Sequence, residues 1–165
     1  LCDPAFTDGM GPTARAAIED FVAKIGSAKA MAAAAGYADV SYSVSDVRGE
    51  LPEHSGHVVI LDLLQFIVPA DQTALLRAAA SRVAPGGKLI IRSCLRDDSR
   101  RYRLTVLGDW ISTVTLWMKQ APVAYPSAEE LRSVLGSVGL TVSIQPLWGG
   151  TPFNNHLIVA QRPTS

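Results

Sequence analysis

Four side chains carry the chemistry this sequence offers: Asp46, Asp62, Arg92 and His156. Asp62 closes the apolar run Val58-Val59-Ile60-Leu61. A carboxylate there must be paired or must face a polar ligand. Asp46 follows a shorter alternating run, and reads either as a turn cap, which Asp serves well, or as an acceptor toward a ligand. Arg92 ends a second apolar run that begins at Lys88. His156 opens the last one, and an imidazole near its unperturbed pKa of about 6.5 accepts a proton from a hydroxyl or an amine. The competing reading of His156 is the end of an ordinary turn rich in Gly, Pro and Asn. His54 and His57 precede the strand that Asp62 closes, which puts them at its far end as surface residues.

The elements around these residues decide which of them meet. Val58 to Leu64 reads as a nearly unbroken apolar strand, buried on both faces. Asp71 to Val83 reads as a helix with Leu75, Leu76, Ala79 and Val83 inward, ended by Pro85-Gly86-Gly87 before the strand Lys88 to Arg92. Two strands joined by one helix are parallel, and a ligand crevice lies outside their carboxyl ends. Asp62 and Arg92 sit at that end. So does Asp46, if Val40 to Val44 is a strand parallel to Val58 to Leu64.

Upstream, Thr13 to Ile25 has helical periodicity with Gly26 as a stop, and Ser27 to Ala35 reads as a second, alanine-rich helix closed by Gly36. Tyr102 to Lys119 is expected to be the longest helix, with Leu104, Leu107, Ile111, Val114 and Met118 on one stripe and Val106, Trp110 and Trp117 on another. That is more apolar surface than one packing face needs, so the helix is either sandwiched in the core, a lid over an apolar substrate, or a homodimer surface. Ser127 to Val138 opens with Glu130 three residues after Ser127, the spacing of a capping box. Thr141 to Leu147 and His156 to Gln161 have no helix between them and must be antiparallel. The last strand then starts on the rim where the parallel strands end, bringing Trp148, Phe153, Asn154, Asn155 and His156 toward the crevice.

With 165 residues, one domain is expected. Fifteen basic and fifteen acidic residues cancel, so no broad positive field exists to gather nucleic acid or anionic lipid. The basic cluster of Arg96, Arg100, Arg101 and Arg103 is interrupted by Asp97 and Asp98 and reads as a solvated helix start. Cys2 and Cys94 are too few for a disulfide framework or a zinc site, so no metal is expected, and a reducing cytoplasm fits best. No apolar stretch approaches the roughly 18 residues of a membrane span. Leu1 is not an initiator methionine, which predicts a natural chain that begins earlier.

The order of elements, with the words Ser45-Asp46-Val47, Val58 to Phe66, Ala84-Pro85-Gly86-Gly87-Lys88-Leu89, Tyr125 to Leu131 and Val138-Gly139-Leu140, resembles the class I S-adenosylmethionine-dependent methyltransferases over roughly 27–162. The resemblance implies an α/β fold: a Rossmann-like, mostly parallel sheet with helices on both faces and an antiparallel C-terminal hairpin. It implies S-adenosylmethionine as cofactor, with Asp46 and the backbone of Val47 at the adenine, and Asp62 and Leu63 beside the methionine part. Gln65 stands where many members carry histidine. With Phe66, Trp117 and Asn154 it is expected on the side of the methyl acceptor, and His156 is the candidate base. Because in-line displacement needs mainly alignment and exclusion of water, a dedicated base need not exist, and the aromatic and apolar lid would then matter most.

The family's first strand, its Gly-rich loop and its second strand have no counterpart before Ser27. The expectation is a segment of on the order of 30 residues, the size of a βαβ unit, missing between Gly26 and Ser27. Without it the strand at Val58 would be a bare apolar edge. The function expected is methyl transfer to a small aryl or acyl acceptor; the alternative is a non-catalytic module that has lost its cofactor. A nicotinamide-dependent reductase is disfavoured by the antiparallel hairpin and the missing glycine fingerprint.

Overall fold

The structure is a computed structural model, and it describes residues 12–37, 39–43, 45–115 and 120–164, with side chains from residue 22 onward. Two compact units divide the chain, Leu1–Gly49 and Glu50–Ser165, and each is described by itself.

In the first unit, α1 spans Pro12–Ala34. The two helices expected on either side of Gly26 are therefore one, and α1, not the helix after Arg100, is the longest. Across the expected stop, Ser27 Oγ donates to the Ala23 carbonyl at 3.2 Å. A single glycine costs a helix about 1 kcal/mol, which alanine-rich flanks override. The helix ends where Gly36 takes a positive φ of 78°, a conformation open to glycine. Residues 40–43 form no strand, and Val44 lies outside the described residues. The strand expected over Val40 to Val44, and its pairing with Val58 to Leu64, are thus not found. A strand exists only through its ladder, and none of the described ladders includes this segment.

The second unit carries a four-stranded sheet of order β1-β2-β4-β3, from β1 (Val58–Leu61), β2 (Lys88–Cys94), β3 (Thr141–Pro146) and β4 (Asn155–Gln161). β1 and β2 are parallel, with Leu61 opposite Arg92. β4 is antiparallel to both β2 and β3, the hairpin the sequence requires. Register places Ile60, Ile91 and Ile158 on one face beside Leu89 and Ala160, all buried. Against it lie α2 (Pro69–Ser81), through Leu75, Leu76, Ala79 and Ala80, and α4 (Ala128–Ser137), through Leu131 and Leu135; α4 packs on α2 and β3. The opposite face leaves Val59 and Leu61 exposed, and β1 pairs on one side only among the described strands.

Local signals account for the boundaries. The turn after α2 needs both glycines: Gly86 has a φ of 75°, and a Cβ on Gly87 would stand 2.8 Å from the carbonyls of Ala84 and Gly56. Ser127 and Glu130 form the expected capping box, with backbone-to-side-chain bonds of 3.2 and 2.7 Å. α3 covers Arg100–Val114, and only Thr105 on it is buried. Leu104, Leu107, Trp110, Ile111 and Val114 are exposed, so the core-helix reading fails. Among the described residues no helix is long and apolar enough to cross a membrane.

Candidate functional site

β1 stops at Leu61 because Asp62 turns out of the ladder with a φ of 51°. That left-handed conformation is one Asp and Asn adopt more readily than other side-chain-bearing residues. The next residues, Leu64–Phe66, wind into a short 3₁₀ turn. The strand is thus three residues shorter than the apolar run, because the carboxyl end of β1 is given over to positioning side chains. Asp62 keeps one ladder bond, its N–H donating to the Arg92 carbonyl at 3.0 Å, and Arg92 Nε stands 3.2 Å from Asp62 Oδ1. Burial pushes the Asp62 carboxyl above the ordinary range, and the nearby Arg92 guanidinium offsets part of that shift.

Gln65 sits on the same turn. Its Nε2 donates to the Asp62 carbonyl at 3.1 Å, and its own carbonyl accepts from the N–H groups of Val123 and Ala124 at 2.7 and 3.3 Å. Its Oε1 is buried with no hydrogen-bond partner. Gln72, on the first turn of α2, fixes the turn from behind: Nε2 donates to the carbonyls of Leu64, Ile67 and Ala124 at 2.9, 3.1 and 2.8 Å. Leu63 and Phe66 are half-buried beside them. The cluster Asp62, Leu63, Gln65 and Phe66 is therefore one surface at the end of β1.

A second polar group lies where β2 ends and β4 begins. Asn154 is fully buried, and its Nδ2 donates to the Leu95 carbonyl at 2.8 Å and to Asp97 Oδ2 at 3.0 Å. Its N–H donates to Thr105 Oγ1 of α3 at 2.8 Å. His156 Nδ1 is 3.0 Å from the Asn154 carbonyl, and the ring meets Trp148 edge-on with centroids 6.1 Å apart. Arg101 stacks 4.5 Å from the Trp148 ring centroid and donates to the Thr151 carbonyl, closing the turn that leads into β4. Desolvation raises the Asp97 carboxyl, but bonds from Ser99 and Asn154 and the nearby His156 outweigh it, leaving the group below its ordinary range. Cys94 is a buried free thiol, pushed up to about 12 chiefly by burial, so it is no nucleophile.

Between the two groups runs a link the sequence reading missed. Tyr125 donates a short hydrogen bond to Asp109 Oδ2 and stacks edge-on against Tyr102 at 5.6 Å. Burial, and next the Asp109 hydrogen bond, push the Tyr125 phenol well above its usual value. The available signal was Asp109 itself, the lone acidic residue between Asp98 and Glu129. A cavity of about 570 Å³ opens between the first turns of α2 and α4, where Arg96 pairs with Glu130 at 2.8 Å.

The other expected residues fall elsewhere. Asp46 belongs to the first unit, where its carboxylate takes the Arg48 N–H at 2.9 Å and the Arg48 guanidinium at 3.0 and 2.6 Å. The Arg48 side chain first, and then its backbone N–H, hold Asp46 below the ordinary range. This is the turn-forming use of Asp. Val47 is half-buried beside it, and Trp117 lies outside the described residues. His54 and His57 are exposed, with Lys88 N–H on His57 Nδ1 at 3.1 Å, at the amino end of β2 as expected.

No family model matches the chain, and no curated protein matches it. Its fold is similar to solved structures. An O-methyltransferase family protein from Burkholderia thailandensis overlays 84% of this chain at 18% identity with a TM-score of 0.65. The mitomycin 7-O-methyltransferase MmcR overlays 84% at 21% identity and 0.62, and human N-acetylserotonin methyltransferase in complex with SAM overlays 75% at 19% and 0.53. The chain spans 40%, 39% and 34% of the lengths of those three. At these identities the likeness is one of fold, and the α/β unit with its antiparallel closing hairpin is a methyltransferase fold over the part that this chain spans.

Proposed function

We propose that the chain is part of an S-adenosylmethionine-dependent methyltransferase acting on a small acceptor of aryl or acyl type. The observation that carries this reading is the surface at the end of β1, where a partly desolvated carboxylate and an orphaned acceptor, Gln65 Oε1, occupy one rim of a methyltransferase fold. A buried acceptor without a donor costs about 1–3 kcal/mol, which a donor from a ligand would recover.

These residues fit one side of the cofactor. Asp62 and Leu63 would hold its methionine part, whose ammonium is the kind of donor Gln65 Oε1 lacks. When bound, the cofactor supplies an electrophilic methyl on a sulfonium. Phe66 and Gln65 would border the acceptor, with Trp117 and the exposed stripe of α3 as an apolar cover that excludes water. His156 would take the acceptor's proton.

Titration calorimetry of the full natural protein with S-adenosylhomocysteine tests the reading. Saturable binding that Asp62→Asn weakens at least about tenfold, the effect of one charge-assisted hydrogen bond, supports it. Absence of heat with a folded protein defeats it in favour of a non-catalytic module.

A further inference from the structure

Asn154, fully buried at the mouth of the hairpin, is bonded through its side chain, its N–H and its carbonyl, and the carbonyl meets an imidazole. Its main-chain carbonyl lies 3.0 Å from His156 Nδ1, and a carbonyl only accepts, so Nδ1 carries the proton. A neutral ring held this way presents Nε2 as a bare acceptor. The position of that carbonyl is set by the Asn154 side chain, stretched between the Leu95 carbonyl and Asp97 Oδ2, and by the Asn154 N–H on Thr105 Oγ1.

The orientation of the amide is not arbitrary. Turned over, Asn154 Oδ1 would face a carbonyl and a carboxylate, both acceptors. In the orientation observed, Oδ1 is buried without a partner. Such a group in a folded interior calls for an explanation other than stability. Trp148 meets the imidazole edge-on with centroids 6.1 Å apart, Arg101 stacks on the Trp148 ring, and the Trp148 Nε1 is buried without a partner.

We infer that Asn154 is a positioning residue: with Asp97 and Thr105 as its anchors, it locks His156 in the Nδ1–H form so that Nε2 faces a protic acceptor. This rests on the methyl-transfer reading only for the origin of the proton. The other histidines give an internal control. His57 Nδ1 accepts from Lys88 N–H, and His54 Nε2 lies 2.9 Å from the His57 carbonyl, so both carry their proton on Nε2.

Nitrogen-15 NMR of the full chain labelled at histidine reads the tautomers directly, with no cofactor present. Its failure is thereby separate from failed S-adenosylhomocysteine binding. His156 is expected as the single Nδ1–H ring among three, and Asn154→Ser is expected to give a mixture. If Asn154→Ser does not fold, Asp97→Ala removes an anchor instead and should mix the tautomers in the same way. His156 protonated on Nε2, or an Nδ1–H ring unchanged in the folded variant, overturns the inference. Phenol should move the Nε2 resonance at about five- to tenfold lower concentration than anisole, which lacks the donor. Equal responses to the two would show that Nε2 receives no proton donor, and would overturn its role.

Discussion

Leu61 and Arg92 are paired across the parallel ladder of β1 and β2, and one residue further on Arg92 reaches back to Asp62 at 3.2 Å. The pair closes the carboxyl end of the ladder and holds a carboxylate on the rim where a ligand would enter. Both side chains keep about two fifths or more of their surface in water, so the contact arranges charge more than it stabilises the fold.

Asp62→Asn is expected to keep the fold, because Asn also tolerates the positive φ at this position. The Asp62 carboxyl is raised by burial, so the folded protein binds its proton more tightly than the unfolded chain does. Stability is lost as pH rises from the ordinary value of 3.8 through the raised one. The variant lacks that loss. Melting temperatures measured from pH 3 to pH 8 should coincide at the acid end and lie slightly higher for the variant above that window; a variant less stable at neutral pH would contradict the assignment.

Gln72→Leu removes one donor from three carbonyls while conserving most of the volume. Leaving those acceptors short should cost about 1–3 kcal/mol. Hydrogen exchange should show the loss concentrated at 64–67 and 123–124. Uniform loss across the sheet would mean that Gln72 does not tie the turn after β1.

Ser127→Ala breaks the capping box of α4 and should cost about 1 kcal/mol, or about 2–4 °C in Tm for a domain of this size. Glu130→Gln keeps the reciprocal bond to the Ser127 N–H but gives up the charge that pairs with Arg96, so it should cost less. Thermal unfolding followed by circular dichroism ranks the two.

Cys94 should resist alkylation in the native protein. With its thiol at about 12, the thiolate fraction at pH 8 is about one part in ten thousand, and the side chain is buried. Iodoacetamide treatment with mass-spectrometric mapping should leave Cys94 unmodified until denaturant is added; rapid native modification would show that the end of β2 opens.

Local hydrogen bonding and side-chain period are written in the sequence, and those parts were readable from it. Pro85-Gly86-Gly87 demanded a turn, Ser127 and Glu130 demanded a helix start, and the absence of a helix between β3 and β4 demanded an antiparallel hairpin. These devices act over a few residues, so their energies do not depend on the rest of the chain. The same logic placed Asp62 at the end of β1 and put His54 and His57 away from it, whereas Gln65 was singled out only through the resemblance.

Tertiary structure decided what depends on partners distant in sequence. Gly26 is a stop or a tolerated guest according to the helix around it, and residues 40–43 are a strand only if a ladder forms beside them. The apolar stripes of α3 demanded burial that the described residues do not supply. Asn154 was expected on the rim facing a methyl acceptor, and its bonds to Leu95, Asp97, Thr105 and His156 became visible only when those groups closed around it. A side chain's role in such a network is a property of the groups it meets, and neither spacing nor composition contains those meetings.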